Sequence, residues 1–129
     1  MTTDTNETRP TVLVVEDEAL ISSMIADSLT DGGFCVHTVA SGEEALRYLS
    51  SGPVVDVLFT DINLAGEMDG SVLARRARML RPDLPIVFAS GRWNVLEQLR
   101  NVPRSIVLAK PYSPLHAVSV VQRLMATLH

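Results

Sequence analysis

The sequence predicts an α/β fold, a doubly wound parallel sheet of five strands with helices on both faces. Short apolar runs alternate along the 129 residues with segments whose apolar residues recur at helical spacing. The connections are short, and right-handed crossovers between them imply parallel strands. No repeat or linker interrupts the pattern, so we expect one domain over residues 11–129 and a flexible polar tail over residues 1–10.

The five strands are short runs of apolar, often β-branched residues. They cover residues 11–15, 34–39, 54–60, 84–89 and 104–109. The first, third and fourth strands are almost wholly apolar, which is typical of central strands covered on both faces. The second strand contains His37 and Thr38, and this polarity favours an edge position. These features predict the flavodoxin-like strand order 2-1-3-4-5.

The five helices have apolar residues three and four positions apart. They cover residues 18–30, 42–49, 70–80, 93–100 and 113–128. Capping and helix-stopping residues mark several of their ends: Gly32-Gly33, Ser41, Gly52-Pro53 and Arg81-Pro82-Asp83. In the last helix, Leu115 is among the apolar residues that we expect to face inward.

Composition and charge disfavour several classes of protein. An apolar fraction of 47% suits a folded domain, while a net charge of −4 without a basic stripe disfavours nucleic-acid binding. No apolar run is long enough to span a bilayer, and the polar N-terminus does not resemble a secretory signal. We therefore expect a cytoplasmic protein. The lone Cys35 cannot form an internal disulfide.

Polar residues capable of chemistry follow four of the apolar runs. Glu16 and Asp17 follow the first strand, Asp61 the third, Ser90 the fourth and Lys110 the fifth. Because parallel strands end at one edge of the sheet, where open α/β sheets bind ligands, we expect these side chains to share one cleft. Lys110 is the only lysine beside ten arginines, which indicates a need for a compact point charge.

Three carboxylates in one cleft repel one another unless some are protonated or a cation is shared. Mg²⁺ suits such oxygen ligands, since it typically takes one or two carboxylates and leaves room for phosphate. Asp61, at a strand–loop boundary, could attack phosphorus and form an acyl phosphate. Lys110 would then supply positive charge to the phosphoryl oxygens, and Ser90 would supply a hydroxyl donor.

The same residues, in the same order, resemble the site of a response-regulator receiver domain. The resemblance covers residues 11–128 and depends on several short pieces in sequence. The matching residues are Glu16-Asp17, Asp61, Met68-Asp69-Gly70, Ser90 and Lys110-Pro111. The resemblance implies that Asp61 is the phosphoacceptor, Ser90 the switch hydroxyl and Lys110 the contact to the phosphoryl group.

The resemblance also implies a Mg²⁺ site and signalling partners. Asp17, Asp61 and the backbone carbonyl of Asn63 would bind the ion, and Glu16 would act through a bound water. The Lys110–Pro111 bond would be cis. A histidine kinase or phosphotransfer protein would donate the phosphoryl group, and slow hydrolysis would remove it without true enzyme activity. A single-domain response regulator of this kind would act on an unidentified protein; whether it forms a homodimer stays open.

Three features depart from the common receiver pattern. Val107 lies three residues before Lys110, where receivers usually have an aromatic residue, so an aromatic side chain coupled to Ser90 cannot be the switch. The loop after Asp61 lacks the usual proline and looks one residue longer. The run from Phe88 to Gly91 resembles the Phe-Ala-Thr-Gly motif of stand-alone alphaproteobacterial receivers, which often pair with HWE-type histidine kinases.

Two other functions stay open. A phosphorylation-independent docking module would explain the missing aromatic residue. A phosphohydrolase with an aspartyl nucleophile is disfavoured, because enzymes of the haloacid-dehalogenase type usually need a second aspartate where this chain has Asn63. Two further acidic residues suit structural roles: Asp56 as a strand-edge or turn contact, and Asp69 as the cap of the third helix.

Overall fold

The computed structural model describes residues 9–64, 66 and 68–127, in which five strands and five helices alternate. The strands are β1 (Thr11–Val15), β2 (Cys35–Val39), β3 (Val57–Asp61), β4 (Ile86–Ser90) and β5 (Ser105–Ala109). The helices are α1 (Ala19–Asp31), α2 (Gly42–Ser50), α3 (Gly70–Leu80), α4 (Trp93–Leu99) and α5 (Pro114–Ala126). Most of the predicted tail, residues 1–8, and the predicted last helical residue, Leu128, lie outside the described residues.

All strand pairs of the sheet are parallel, in the order β2-β1-β3-β4-β5. The predicted fold class, the strand order and the edge position of β2 are therefore confirmed. β3 starts three residues later than the apolar run predicts, because Asp56 forms a turn contact before the strand. Its carboxylate accepts a hydrogen bond from the Thr11 backbone N–H at 2.7 Å. Val54, in the predicted strand, is instead exposed.

The sheet separates two apolar layers, because successive side chains of a strand point to opposite faces. α1 and α5 cover the layer that includes Val12, Val14, Phe59 and Val87. α2, α3 and α4 cover the layer that includes Leu13, Leu58, Ile86 and Phe88. α4 contributes only the partly buried Val95 and Leu99, and none of its residues is fully buried.

Side-chain caps set the starts of three helices. The Ser41 hydroxyl accepts a hydrogen bond from the Glu44 N–H at 3.1 Å and starts α2 as predicted. Asp69 caps α3, also as predicted: its Oδ1 accepts from the Ser71 and Val72 N–H groups at 2.9 Å each. Ser113 caps α5. These bonds satisfy N–H groups that have no partner within the helix.

The expectation that Leu115 faces inward was wrong. Leu115 lies in the first turn of α5 and is 77% exposed, because the buried stripe of this helix starts only at Ala117. Leu20 in α1 is equally exposed. Across the described residues, no helix is both long enough and apolar enough to cross a membrane.

Candidate functional site

Backbone hydrogen bonds between neighbouring strand ends form the floor of the predicted cleft. The Glu16 N–H donates to the Val39 carbonyl at 3.1 Å, which ties the end of β1 to β2. On the other side, the Lys110 N–H donates to the Ser90 carbonyl at 2.9 Å. Asp61 is paired in register with Ala89. The carboxyl ends of all five strands are thus held together before any side chain is considered.

Three carboxylates meet at this edge of the sheet. Glu16, Asp17 and Asp61 each place one carboxylate oxygen within 4.8 Å of the others. Glu16 and Asp61 are almost fully buried, while Asp17 is exposed. Carboxylate oxygens at this spacing are the hard ligands that Mg²⁺ prefers. The donor set, with one ligand open to solvent, therefore fits a magnesium ion.

Asp61 is held by one contact at each carboxylate oxygen. Its Oδ2 accepts a hydrogen bond from Lys110 Nζ at 2.7 Å, and its Oδ1 accepts from the Asn63 N–H at 3.3 Å. Burial alone would lower the pKa of Lys110, but the hydrogen bond and charge of Asp61, together with Glu16, raise it above the usual value. Lys110 is therefore a permanent positive charge beside Asp61 at neutral pH.

The charged form of Glu16 is under electrostatic strain in this cleft. Burial raises its pKa from 4.5 to about 7; the Glu18 N–H, which donates to Oε2 at 3.1 Å, offsets this in part, and the charge of Asp61 adds to it. A cation near the three carboxylates would remove the reason for Glu16 to hold a proton. The electrostatics thus agree with the ligand chemistry.

Ser90 is completely buried at the end of β4, next to β3. Within the described residues its hydroxyl does not bond to Asp61 or Lys110; it accepts a hydrogen bond from the Arg92 N–H at 3.1 Å. Ser90 therefore links the cleft to Arg92, the residue immediately before α4. Its predicted switch role stays a prediction.

The loop after Asp61 is drawn close to the cleft by Gly70. The Gly70 N–H donates to the Ile62 carbonyl at 2.8 Å, and a Cβ atom at Gly70 would collide with the backbone carbonyl of Asp61. Asn63, which starts the loop, is exposed. Residues 65 and 67 lie outside the described residues, and the predicted ligand role of the Asn63 carbonyl stays a prediction.

Val107 does not leave the sheet without an aromatic residue in this region. Val107 is half-buried and is paired in register with Phe88 on β4, and both pack in the layer under α2, α3 and α4. Phe88 is 1% exposed. The large side chain of Phe88 on β4 therefore lies beside the smaller Val107 on β5. Val107 cannot serve as an aromatic switch because its side chain is not aromatic.

Sequence analysis missed the apolar surroundings of Lys110. The Lys110–Pro111 bond is cis, as the resemblance implied, and Tyr112 packs edge-on against Phe59 with ring centroids 6.1 Å apart. Burial raises the pKa of Tyr112, and the charges of Glu16 and Asp61 add to the effect. A cavity of about 400 Å³ adjoins this segment. Only the Pro after Lys110 signalled an unusual backbone here.

Comparison with known proteins identifies the family. The family model for the response regulator receiver domain matches residues 12–122, which include β1 from its second residue, the other four strands and most of α5. The chain therefore belongs to the response regulator receiver domain family. This membership defines the class of protein: a phosphoacceptor of two-component systems.

A relative of similar length and a solved structure agree with this membership. The chain is 33% identical over 116 residues to the response regulator receiver protein CpdR of Brucella abortus, covering 88% of this chain and 95% of that protein. A response regulator receiver protein from Sinorhizobium medicae WSM419 superposes with a TM-score of 0.85 at 36% identity. That match covers 94% of this chain and 98% of the other.

Other relatives are much longer than this chain. The sensor kinase CckA of Brucella abortus is 34% identical over 119 residues, which cover 89% of this chain but only 12% of CckA. The transcriptional regulatory protein BaeR of Escherichia coli is 28% identical over 122 residues, 93% of this chain and 50% of BaeR. The shared part is thus a receiver domain in different protein contexts.

Proposed function

We propose that this receiver domain accepts a phosphoryl group on Asp61 from a phosphohistidine. The contact that supports this most is the 2.7 Å ion pair between Lys110 and Asp61, a buried carboxylate at the end of β3. In the transfer, an Asp61 oxygen forms the new bond to phosphorus while the P–N bond of the donor breaks. The donor imidazole leaves with the bonding electron pair and takes up a proton.

Lys110 and Ser90 act on the phosphoryl group after transfer in this proposal. The Lys110 ammonium, which is already hydrogen-bonded to Asp61, then contacts an oxygen of the transferred phosphoryl group. The Ser90 hydroxyl accepts a hydrogen bond from the Arg92 N–H, and its own O–H remains available to donate a hydrogen bond to a phosphoryl oxygen. Movement of Ser90 then displaces residues 91–94 and α4. Because α4 has no fully buried residue, shifting it exposes little apolar surface.

Mg²⁺ is the cofactor that fits the site. Asp17, Asp61 and the backbone carbonyl of Asn63 would hold the ion, and Glu16 would contact it through water. When bound, the ion would offset negative charge on the phosphoryl oxygens. The proximity of the three carboxylate oxygens and the raised pKa of Glu16 support this assignment.

The partners follow from the family and the motif. The phosphodonor in this proposal is a histidine kinase, of the HWE type that the Phe88–Gly91 motif suggests, or a phosphotransfer protein. Output passes to a downstream protein, the phosphoryl group is lost by slow hydrolysis, and the system operates in the cytoplasm. Self-association through the last helices would be tested by sedimentation.

Phosphorylation with a small donor tests the proposal directly. The full chain is incubated with acetyl phosphate and Mg²⁺, and intact-mass spectrometry measures the gain of one phosphoryl group. We expect the adduct on the wild type and on Asp83→Asn, which changes an exposed acid far along the chain. We expect none on Asp61→Asn, and none when EDTA removes the ion. No adduct on the wild type, or an undiminished adduct on Asp61→Asn, would overturn the proposal.

Val107 favours one second candidate, a docking module that needs no phosphorylation. The absence of an aromatic residue at this position removes the usual route from phosphoryl group to surface. Full signalling in cells that carry Asp61→Asn would support this candidate, and loss of signalling would reject it. A phosphohydrolase remains disfavoured, because Asn63 offers no acid or base two residues after Asp61.

A further inference from the structure

The net charge of −4 conceals a strong asymmetry along the chain. Residues 70–104 contain seven of the ten arginines and only two acidic residues, Asp83 and Glu97. The rest of the chain has four basic and thirteen acidic residues. Residues 70–104 run from the start of α3 through β4 and α4. Residues 70–104 therefore carry net positive charge in an otherwise acidic chain.

Most of this positive charge has no carboxylate partner. Asp83 and Glu97 are already paired, with Arg104 at 3.9 Å and with Arg100 at 2.6 Å. Within the described residues, Arg75, Arg76, Arg78, Arg81 and Arg92 form no ion pair within 4.0 Å. Because these charges lack an ion-pair partner, this segment favours contact with a negatively charged partner.

An apolar cavity lies among the elements of this basic segment, and two of its arginines, Arg75 and Arg78, line it. Its volume is about 390 Å³, which is within the range of about 300–1,000 Å³ that ligand pockets have. Ile86 and Phe88 of β4 form its apolar floor. The walls are residues of α3, the end of α4 and the turn after it: Ser71, Ala74, Arg75, Arg78, Leu99 and Val102.

Two arginines at this cavity differ in how they are held. Arg78 is fixed by carbonyl oxygens: Nε donates to Leu84 at 2.7 Å, and one terminal nitrogen donates to Pro103 at 2.7 Å and to Arg104 at 3.2 Å. Its charge is therefore rigidly placed but not neutralised. Arg75 is exposed and has no side-chain hydrogen bond within the described residues. One arginine at the cavity is thus fixed in place, and the other can adapt to a bound anion.

We propose that the groove between α3 and α4 binds an acidic segment of a partner protein. A bulky apolar side chain of that segment enters the cavity over Phe88, and flanking carboxylates pair with Arg75 and Arg78. An amphipathic helix in a groove is a common way to combine these two contacts. The proposal concerns a surface separate from Asp61 and does not require the proposed phosphorylation.

The distribution of charge favours an extended acidic segment over other occupants. Exposed arginines continue beyond the cavity, at Arg76 on α3 and at Arg100 just after α4, which a small molecule would leave uncovered. Docking of one copy onto the acidic side of another would be a heterologous contact that extends into filaments unless it closes. Nucleic acid would satisfy the charges but would leave the apolar cavity unused.

Selection from a random peptide library tests the groove even though the partner is unidentified. Twelve-residue peptides displayed on phage are selected against the immobilised full chain, and affinities of the enriched peptides are measured by fluorescence anisotropy. We expect enriched peptides to carry net negative charge and at least one Leu or aromatic residue. Their binding should weaken with rising salt concentration.

Paired variants decide where the peptides bind. Arg75→Glu should weaken binding by about tenfold or more, whereas Arg123→Glu, the same charge change at an exposed residue of α5 on the other face of the sheet, should weaken it by less than about threefold. Ala74→Leu, which fills part of the cavity, should weaken binding without reversing a charge. Amide shifts on binding should concentrate at Ser71, Arg75, Leu99 and Val102.

Several results would overturn the proposal. These are no enrichment, enriched peptides that are not acidic, or peptides that bind Arg75→Glu and Ala74→Leu as tightly as the wild type. Self-association in sedimentation that Arg75→Glu abolishes would assign the surface to a second copy. Tighter binding of a duplex DNA oligonucleotide than of the selected peptides would assign it to nucleic acid.

Discussion

The two sides of the cleft differ in how firmly the chain holds them. On the β1–β3 side, Asp61 belongs to a strand in which every residue is buried, and both its carboxylate oxygens are hydrogen-bonded. On the β4 side, Ser90 is just as deeply buried, but the helix that follows has no fully buried residue, and Trp93 at its start is 61% exposed.

Under the proposed function, with Asp61 as the phosphoacceptor, this difference gives the two sides different tasks. A phosphoacceptor needs its reacting oxygen held in place, and the packed strands supply that. A responsive element needs a small free-energy difference between two arrangements, and weak packing supplies that. In this chain one buried residue, Ser90, connects the rigid side to the weakly packed one.

The largest expected effect comes from the packing contrast between β4 and α4. Phe88→Ala removes a fully buried ring and should lower the free energy of unfolding by about 3–5 kcal/mol. Trp93→Ala changes a largely exposed side chain and should alter it by no more than about 0.5 kcal/mol. Urea denaturation measures both. A large loss from Trp93→Ala would mean that α4 is more firmly packed than this comparison holds.

The second prediction concerns the electrostatic strain on the rigid side. The pKa of Glu16 is raised to about 7 in the folded chain, so the native state holds a proton more tightly than the unfolded state. Without metal, the stability contributed by this proton is therefore fully present below about pH 4.5. It is lost as pH rises through 7, and the loss is no more than about 3 kcal/mol. Urea denaturation in EDTA at pH 5 and pH 8 measures the loss.

Glu16→Gln serves as the matched variant for this effect, since the amide cannot ionise. The stability of this variant should change less between pH 5 and pH 8 than that of the wild type. In the wild type, adding Mg²⁺ should restore the stability lost at pH 8. Equal pH dependence of the two proteins would show that Glu16 does not carry the strain.

A third prediction disturbs the loop that lies against Asp61. In Gly70→Ala the new methyl group meets the Asp61 carbonyl, so the loop must move. We expect a loss of roughly 1–3 kcal/mol and slower phosphorylation by acetyl phosphate. Gly91→Ala is the control on the β4 side, where the nearest atom is Lys110 Cβ at an ordinary 3.7 Å. Equal effects of the two variants would remove the contrast between the loops.

The smallest expected effect is at the cap of α3. Asp69→Ala should cost about 1 kcal/mol, while Asp69→Asn, also a good cap, should cost much less. Hydrogen bonds from the Val72 N–H and from the hydroxyl and N–H of Ser71 lower the pKa of Asp69 below 3.8. The charged carboxylate therefore contributes stability above that pH, and this contribution is lost as pH falls through the lowered pKa. The advantage of the wild type over Asp69→Asn should therefore vanish in acid. A constant difference would contradict this.

Local residue patterns in the sequence determined the fold class and the residues at the strand ends. Apolar runs, helical periodicity and residues such as Ser41 and Asp69 act over a few positions, so they can be recognised without contacts. The parallel topology then placed the polar residues after β1, β3, β4 and β5 at one edge. The roles of Asp61, Ser90 and Lys110 remain assignments by resemblance, which phosphorylation assays will test.

Tertiary structure alone decided which apolar residues are covered and how the charges interact. Leu115 has helical spacing like its buried neighbours, yet it is exposed because the buried stripe begins at Ala117. The raised pKa of Glu16 depends on burial by distant segments, and the cavity beside Arg75 and Arg78 exists only because α3 and α4 stand apart over β4. Burial, electrostatic strain and grooves arise from how separate elements pack against one another, so no pattern within one element can specify them.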